Sequence, residues 1–126
     1  MLIHLDTSVL VDAFTGPRRS LPALRRLTEA GEVTTFSTIV MYEWLRGPRS
    51  EGERSAVADF FASELLAAFG VREAETAAEL YRQVKSARQR QADLAIAACA
   101  IAHGAKLWTL NEKDFADVPG LGLCEA

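Results

Sequence analysis

Four acidic side chains lie beside or within apolar stretches, where an isolated carboxylate is costly. They are Asp6, Glu43, Asp93 and Asp114. Carboxylates that converge repel and raise one another's pKa, and a divalent cation removes both penalties. Mg²⁺ and Mn²⁺ take oxygen ligands, and the amide of Asn111 offers another oxygen close to the fourth acid. These residue types predict a Mg²⁺ or Mn²⁺ site, and the lack of thiolate or histidine pairs argues against zinc.

Each acid also has an ordinary structural interpretation. Asp6 is typical of a turn or a helix cap. Glu43 has Arg46 three residues on, which is the spacing of an ion pair on a helix surface. Asp93 and Asp114 suit capping or first-turn positions, where the helix dipole favours a negative charge. The joint pattern favours the metal site, because each acid falls at the same end of a strand or helix.

The elements that position these acids alternate between strand and helix. Apolar and β-branched runs predict strands at residues 1–5, 33–36, 69–71 and 106–110, with a further strand at 121–124. Helical spacing of apolar residues predicts helices at 9–14, 20–30, 38–45, 51–68, 74–90 and 92–102. This alternation indicates an α/β fold with a mainly parallel sheet. Ligands bind outside the carboxyl edge of such a sheet, which is where Asp6 ends the first strand.

Composition limits the class of protein. A chain of 126 residues is most simply one domain, residues 1–126, with room for a real core. The net charge of −3 does not indicate general affinity for nucleic acid, although arginines cluster at 18–26, 46–54 and 82–90. These clusters suit either phosphate contacts or solvated, salt-bridged helix faces. The 2 cysteines lack metal-ligand spacing, and no apolar run suits a signal peptide or membrane span, so we expect a soluble cytoplasmic protein.

Four blocks of sequence, in this order and spacing, resemble the PIN-domain family. They are residues 5–10 (LDTSVL), 37–47 (STIVMYEWLRG), 92–98 (ADLAIAA) and 107–115 (LWTLNEKDF). The likeness covers essentially the whole chain and is strongest to the toxin half, VapC, of bacterial VapBC toxin–antitoxin pairs. One departure lies before the third acid, where residues 86–92 (SARQRQA) replace the glycine-containing apolar lead-in of many relatives. The departure bears on the local loop and its substrate contacts.

The resemblance implies a three-layer α/β/α PIN-like fold and a Mg²⁺- or Mn²⁺-dependent endoribonuclease. The family's catalytic and metal-binding acids carry over to Asp6, Glu43, Asp93 and Asp114, with polar support from Thr7, Ser8 and Asn111. Such an enzyme hydrolyses RNA with an activated water and leaves a 5′-phosphate. No histidine is needed, so His4 and His103 are interpreted as structural. The family also implies a VapB-type antitoxin partner and a homodimer.

Other functions fit parts of the sequence. A strand that ends in an acid also suits aspartyl-phosphate phosphatases and response-regulator receivers, but the phosphatase pattern has a second acid where this chain has Ser8. A catalytically silent PIN-fold binding module and a metal-dependent nuclease of single-stranded DNA stay open. The presence of all four acids favours the enzyme. Some aromatic residues are candidates for an antitoxin groove, although core packing is favoured for most of them: Trp44, Phe60, Phe61 and Tyr81.

Overall fold

Three parallel strands form the central sheet. The computed structural model describes residues 1–126, and its strands are β1 (Leu2–Leu5), β2 (Val33–Thr35) and β3 (Lys106–Trp108), in the order β2–β1–β3. His4 of β1 pairs with Thr35 on one side and with Leu107 on the other. Successive strand side chains point to opposite faces. Because Ile3, His4 and Leu5 are all buried, helices cover the sheet on both faces, which confirms the predicted α/β class.

Six helices surround the sheet. They are α1 (Thr7–Phe14), α2 (Leu21–Glu29), α3 (Thr38–Arg46), α4 (Glu51–Phe60), α5 (Val71–Gln83) and α6 (Gln91–Ala102). Short 3₁₀ turns lie at Ser63–Leu65, Ala87–Arg90 and Glu112–Asp114. α6 is the most buried helix, as its nearly unbroken apolar sequence predicts. None of the helices has the length and apolar character needed to cross a membrane.

Two predicted strands are not formed. Residues 69–71 were expected to be extended, but Val71 begins α5 and Gly70 caps it. The capping signal wins because Glu73 lies three residues beyond the cap and its carboxylate accepts the Gly70 N–H at 3.1 Å. The only strand-like pairing in this part of the chain lies a few residues before, where Ala67 forms a single parallel bridge with Ser37. Residues 121–124 likewise contribute only one bridge, between Leu107 and Leu123.

Two predicted helices are shorter than their apolar periodicity indicates. The helix expected over 51–68 ends at Phe60, because Phe61 turns into an aromatic cluster, with its ring centroid 4.9 Å from Phe36 and 6.0 Å from Phe14. The helix expected over 74–90 ends at Gln83. Beyond it the chain turns through Ser86, which has a positive φ of 54°.

The aromatic candidates divide as the core interpretation predicts, with one exception. Trp44 and Phe61 are buried, and Phe60 is partly buried against the core. Tyr81 is 44% exposed, so the expectation of core packing is wrong for this residue. It lines a surface pocket between α5 and α6, together with Leu94 and Ala95.

Candidate active site

An open cleft of about 580 Å³ lies at the carboxyl end of β1 and β3. Its lining is mostly polar, and it contains Asp6, Thr7, Ser8, Asp12, Glu43, Arg46, Asp93 and Asn111. Three of the four predicted acids therefore share one cleft, together with all three predicted supporting residues. The location agrees with the general position of ligand sites in parallel sheets.

Asp6 is fixed by the sheet and by two hydroxyl groups. Its backbone N–H donates to the Trp108 carbonyl at 2.9 Å, and its own carbonyl accepts the first bond of α1, from Val9 at 3.0 Å. Its side chain makes no capping bond to that helix. Instead Oδ2 accepts from Ser8 at 2.7 Å and from Thr109 at 2.8 Å. Because both hydroxyls bind Oδ2, Oδ1 keeps its lone pairs for a ligand in the cleft.

Thr109 is a residue of the candidate site that sequence analysis missed, and its hydroxyl donates to Asp6. β1 and β3 pair in parallel with Leu5 opposite Trp108, so Thr109 follows β3 as Asp6 follows β1. Its hydroxyl oxygen also accepts the Asn111 N–H at 3.0 Å. Thr109 as a whole is only 5% exposed. The predicted strand at 106–110 included Thr109, whereas β3 ends at Trp108, and the contact of Thr109 with Asp6 is long-range.

Glu43 projects from the middle of α3. The helix begins at Thr38 because the Ser37 hydroxyl caps it by accepting the Val40 N–H at 3.3 Å. Thr7 donates to Glu43 Oε1 at 2.6 Å, which links this helix to the start of α1. Arg46 approaches Oε2 at 3.7 Å, so the ion pair weighed in the sequence is also present. The two interpretations of Glu43 are compatible.

Asp93 lies in the first turn of α6 and has the most perturbed carboxyl group of the cleft. Its pKa is raised from 3.8 to about 6, mainly by burial and then by the neighbouring charges of Asp6, Asp114 and Glu43 in that order, while Arg90 opposes the shift. No side-chain capping bond is formed at the N-terminus of this helix. A carboxyl group that is desolvated and repelled in this way is stabilised by an added cation.

Asp114 stands at the margin of the site. It ends the 3₁₀ turn Glu112–Asp114, its side chain is exposed, and it is not part of the cleft lining. Its charge nevertheless contributes to the raised pKa of Asp93. Asp12, which sequence analysis did not single out, does line the cleft and accepts the Ser20 hydroxyl at 2.6 Å.

The carboxylates are not gathered into a ready-made metal cage. No three His, Cys, Asp or Glu side chains in the structure lie close enough to hold an ion together. The cleft offers oxygen donors only, and neither His4 nor His103 is among its lining residues. Such a donor set suits Mg²⁺ or Mn²⁺, and Mg²⁺ usually keeps several water ligands and needs few from the protein.

Comparison with known families identifies this architecture. A family model described as PIN domain matches residues 3–121. The chain belongs to the PIN-domain family. This PIN domain is 31% identical over 119 residues to Ribonuclease VapC19 of Mycobacterium tuberculosis, covering 93% of this chain and 94% of the relative.

Solved structures support the same assignment. The PIN domain matches VapBC2 from Rickettsia felis bound to a DNA fragment from its promoter, with a TM-score of 0.76, 26% identity and 98% of each chain covered. It matches a toxin–antitoxin complex from Klebsiella pneumoniae with a TM-score of 0.71, 27% identity and 96% and 95% coverage. The fold alone is also shared with DNA-bound VapBC from Salmonella typhimurium, with a TM-score of 0.78, 20% identity and 98% of each chain covered.

The arginines of the PIN domain differ in how they are engaged. Arg90 donates to both oxygens of Asp117, at 2.9 and 2.6 Å, and to the carbonyls of Lys85 and Asp114. It therefore secures the turns that flank the cleft. Arg82 pairs with Glu79 on the surface. Among the predicted phosphate-contact clusters, Arg46 alone lines the cleft.

Proposed function

We propose that the chain is a divalent-cation-dependent endoribonuclease that acts as the toxin of a VapBC-type pair. The single observation that carries the proposal is the cleft that Asp6, Glu43 and Asp93 line together, with the Asp93 pKa raised by burial and by its acidic neighbours. The 31% identity to a curated ribonuclease over nearly the whole chain gives independent support.

We assign the cation to Asp6, Glu43 and Asp93, with Asp114 completing the site directly or through a water. Mg²⁺ or Mn²⁺ bound there lowers the pKa of a water and neutralises charge on the phosphodiester. The open spacing of the carboxylates fits an ion that retains part of its water shell. Asp6 Oδ1 is available as a metal ligand, because both hydroxyl partners of Asp6 bind Oδ2.

The polar neighbours position the carboxylates. Ser8 and Thr109 hold Asp6 from two sides, and the Ser8 oxygen is itself held by the Leu110 N–H at 3.1 Å. Thr7 holds one oxygen of Glu43 and leaves the other to Arg46. These bonds fix rotamers before substrate arrives, which lowers the cost of organising the reaction. In the proposed reaction water attacks the phosphorus and the bond to the 3′ oxygen breaks, so the products carry a 5′-phosphate and a 3′-hydroxyl.

The proposed partner is a VapB-type antitoxin. An apolar groove of about 240 Å³ runs between α3 and α4, and its lining includes Met41, Leu45, Val57 and Leu66. Leu45 is 50% exposed on this groove. An amphipathic helix buries its apolar face in a groove of this kind. We also propose the homodimer that family resemblance implies.

The decisive experiment is metal-dependent cleavage of RNA by purified protein freed of antitoxin. Wild type, Asp6→Asn and the control Asp59→Asn are compared in Mg²⁺, Mn²⁺ and EDTA, because Asp59 is an exposed acid on α4 outside the cleft. We expect wild type and Asp59→Asn to cut RNA to 5′-phosphate ends, and Asp6→Asn to lose cutting. Cutting in EDTA, or cyclic phosphate ends, would contradict the mechanism. Cutting of single-stranded DNA but not RNA would replace the proposed substrate.

A further inference from the structure

Tyr42 and Arg46 form an exposed pair on α3, and the hydrolysis outlined above uses neither. The guanidinium carbon of Arg46 lies 5.3 Å from the centroid of the Tyr42 ring, which is the geometry of a cation–π contact. Arg46 is also the one cationic side chain in the cleft lining. It shares the cleft lining with four carboxylates, those of Asp6, Asp12, Glu43 and Asp93.

Arg46 is held loosely. Its contact with Glu43 Oε2 is 3.7 Å long, which is beyond hydrogen-bond distance, and 59% of its side chain is exposed. Arg90 gives the contrast, because only 17% of its side chain is exposed and its donors bind Asp117 and two carbonyls. The donors of Arg46 are therefore free for a ligand, and those of Arg90 are in use.

Tyr42 offers an aromatic surface next to this arginine. The residue is 61% exposed, so Arg46 covers only part of the ring. Leu110, which is 50% exposed, adds apolar surface at the cleft. Proteins that bind single-stranded nucleic acid combine stacking on aromatic rings with arginine contacts to phosphate.

Tyr42 lines neither the apolar groove nor the cleft itself, and its contact with Arg46 connects it to the cleft. Residues four apart on a helix are neighbours, so Tyr42 and Arg46 share one side of α3, and Arg46 reaches the lining of the cleft. Met41 and Leu45 also stand four apart and line the groove toward α4. A nucleotide is therefore the occupant that fits Tyr42, because its charged neighbour belongs to the cleft.

We infer that Tyr42 and Arg46 form a nucleotide subsite beside the scissile phosphate, in which a base stacks on Tyr42 and a phosphate binds Arg46. The inference rests on the proposed function and adds how the substrate is recognised. A cation held at Glu43 would weaken its 3.7 Å contact with Arg46 and would leave the guanidinium available to a phosphate of the RNA. Tyr42 is then a specificity-determining residue for the base next to the cut.

The test uses a pool of random-sequence single-stranded RNA oligonucleotides, with cut positions read by sequencing. We expect Tyr42→Leu to lower kcat/KM roughly tenfold and to flatten the base preference at one position beside the cut, while Tyr42→Phe keeps both. RNA binding is measured in the Asp6→Asn background. There Arg46→Gln should reduce the salt slope by about 0.7, and the control Arg82→Gln should leave it unchanged.

The outcomes separate this inference from the proposed function. If wild type cuts RNA and Tyr42→Leu cuts it at the same rate with the same base preference, the inference is overturned and the proposed function stands. Wild type that does not cut overturns the proposed function, and the binding measurements then decide the subsite. If Tyr42→Leu changes only the oligomeric state, measured as the mass of the protein in solution, then Tyr42 lies at a protein interface. That result also overturns the inference. Because Tyr42 is exposed, the variant should melt within about 2 °C of wild type, which is checked first.

Discussion

Glu73 and Asp93 occupy the same position in two neighbouring helices and have opposite electrostatics. Each is the third residue of its helix, Glu73 in α5 and Asp93 in α6. The pKa of Glu73 is lowered, first by its own backbone N–H and then by bonds from Gly70 and His103 that outweigh burial. The pKa of Asp93 is raised to about 6 by burial and by other acids.

The difference lies in what surrounds each carboxylate. Glu73 closes a capping interaction with Gly70 and binds His103 Nε2 at 2.9 Å, so its charge is satisfied by the fold. Asp93 faces a cleft that holds further acids and makes no capping bond. A carboxylate with hydrogen-bond partners stabilises the protein, whereas one without partners is stabilised only when a ligand binds. The same helix position therefore serves structure in α5 and, by our proposal, metal binding in α6.

The largest expected effect is on activity. Asp93→Asn should reduce RNA cleavage at least 100-fold, because it removes a proposed metal ligand. Glu73→Gln, the matched change at the satisfied position, should leave cleavage within about threefold. Initial rates at saturating Mg²⁺ check this pair. Equal losses in the two variants would show that the comparison has no functional meaning.

The next effect is on folding at the satisfied acid. Glu73→Ala removes a capping carboxylate and the partner of His103, so we expect a loss of about 1 kcal/mol of stability and a fall in Tm of about 4 °C. Thermal unfolding at pH 7 without added metal measures it. An unchanged Tm would contradict the view that Glu73 stabilises α5.

Replacing Asp93 should have the opposite effect on stability. A pKa raised from 3.8 to about 6 corresponds to about 3 kcal/mol, and since the side chain is partly exposed, solvent screening reduces this to about 1 kcal/mol. Asp93→Asn should therefore raise the Tm of the metal-free protein at pH 7 by about 4 °C. A lower Tm would show that the Asp93 charge is favourable in the fold.

The pH dependence of that gain follows from the sign of the shift. The folded state binds the Asp93 proton more tightly than the unfolded state, so its contribution is favourable at low pH and is lost as pH rises from 3.8 towards 6. The Tm difference between Asp93→Asn and wild type should thus be largest above pH 6 and shrink towards pH 4. A difference that grows with acidification would contradict the raised pKa.

Local sequence rules predicted some parts of the candidate site better than others. Ser37, which caps α3, and Asp6, which ends β1, follow from local rules, and so their elements were predicted well. Thr109 was not identified because its partner Asp6 is 103 residues away, and only strand pairing brings them together. The position of Asp114 outside the cleft lining likewise depends on how the turn after β3 is held.

Local competition explains the wrong elements. Residues 69–71 have a strand-like composition, yet Glu73 and Gly70 form a cap that starts α5 there. Phe61 continues an apolar helical pattern, yet its ring is buried by leaving the helix. Both outcomes are tertiary or capping effects that override apolar periodicity.

The amino-acid sequence by itself determined the α/β class, the strand that ends in Asp6, the buried helix that begins near Asp93 and the motifs of the PIN family. These depend on local patterns of apolar, capping and acidic residues. Only the tertiary structure decided which side chains share the cleft. Parallel pairing of β1 with β3 sets Thr109 against Asp6, and the packing of α1 on α3 sets Thr7 against Glu43. Those contacts join residues far apart in the chain, so no local pattern could specify them.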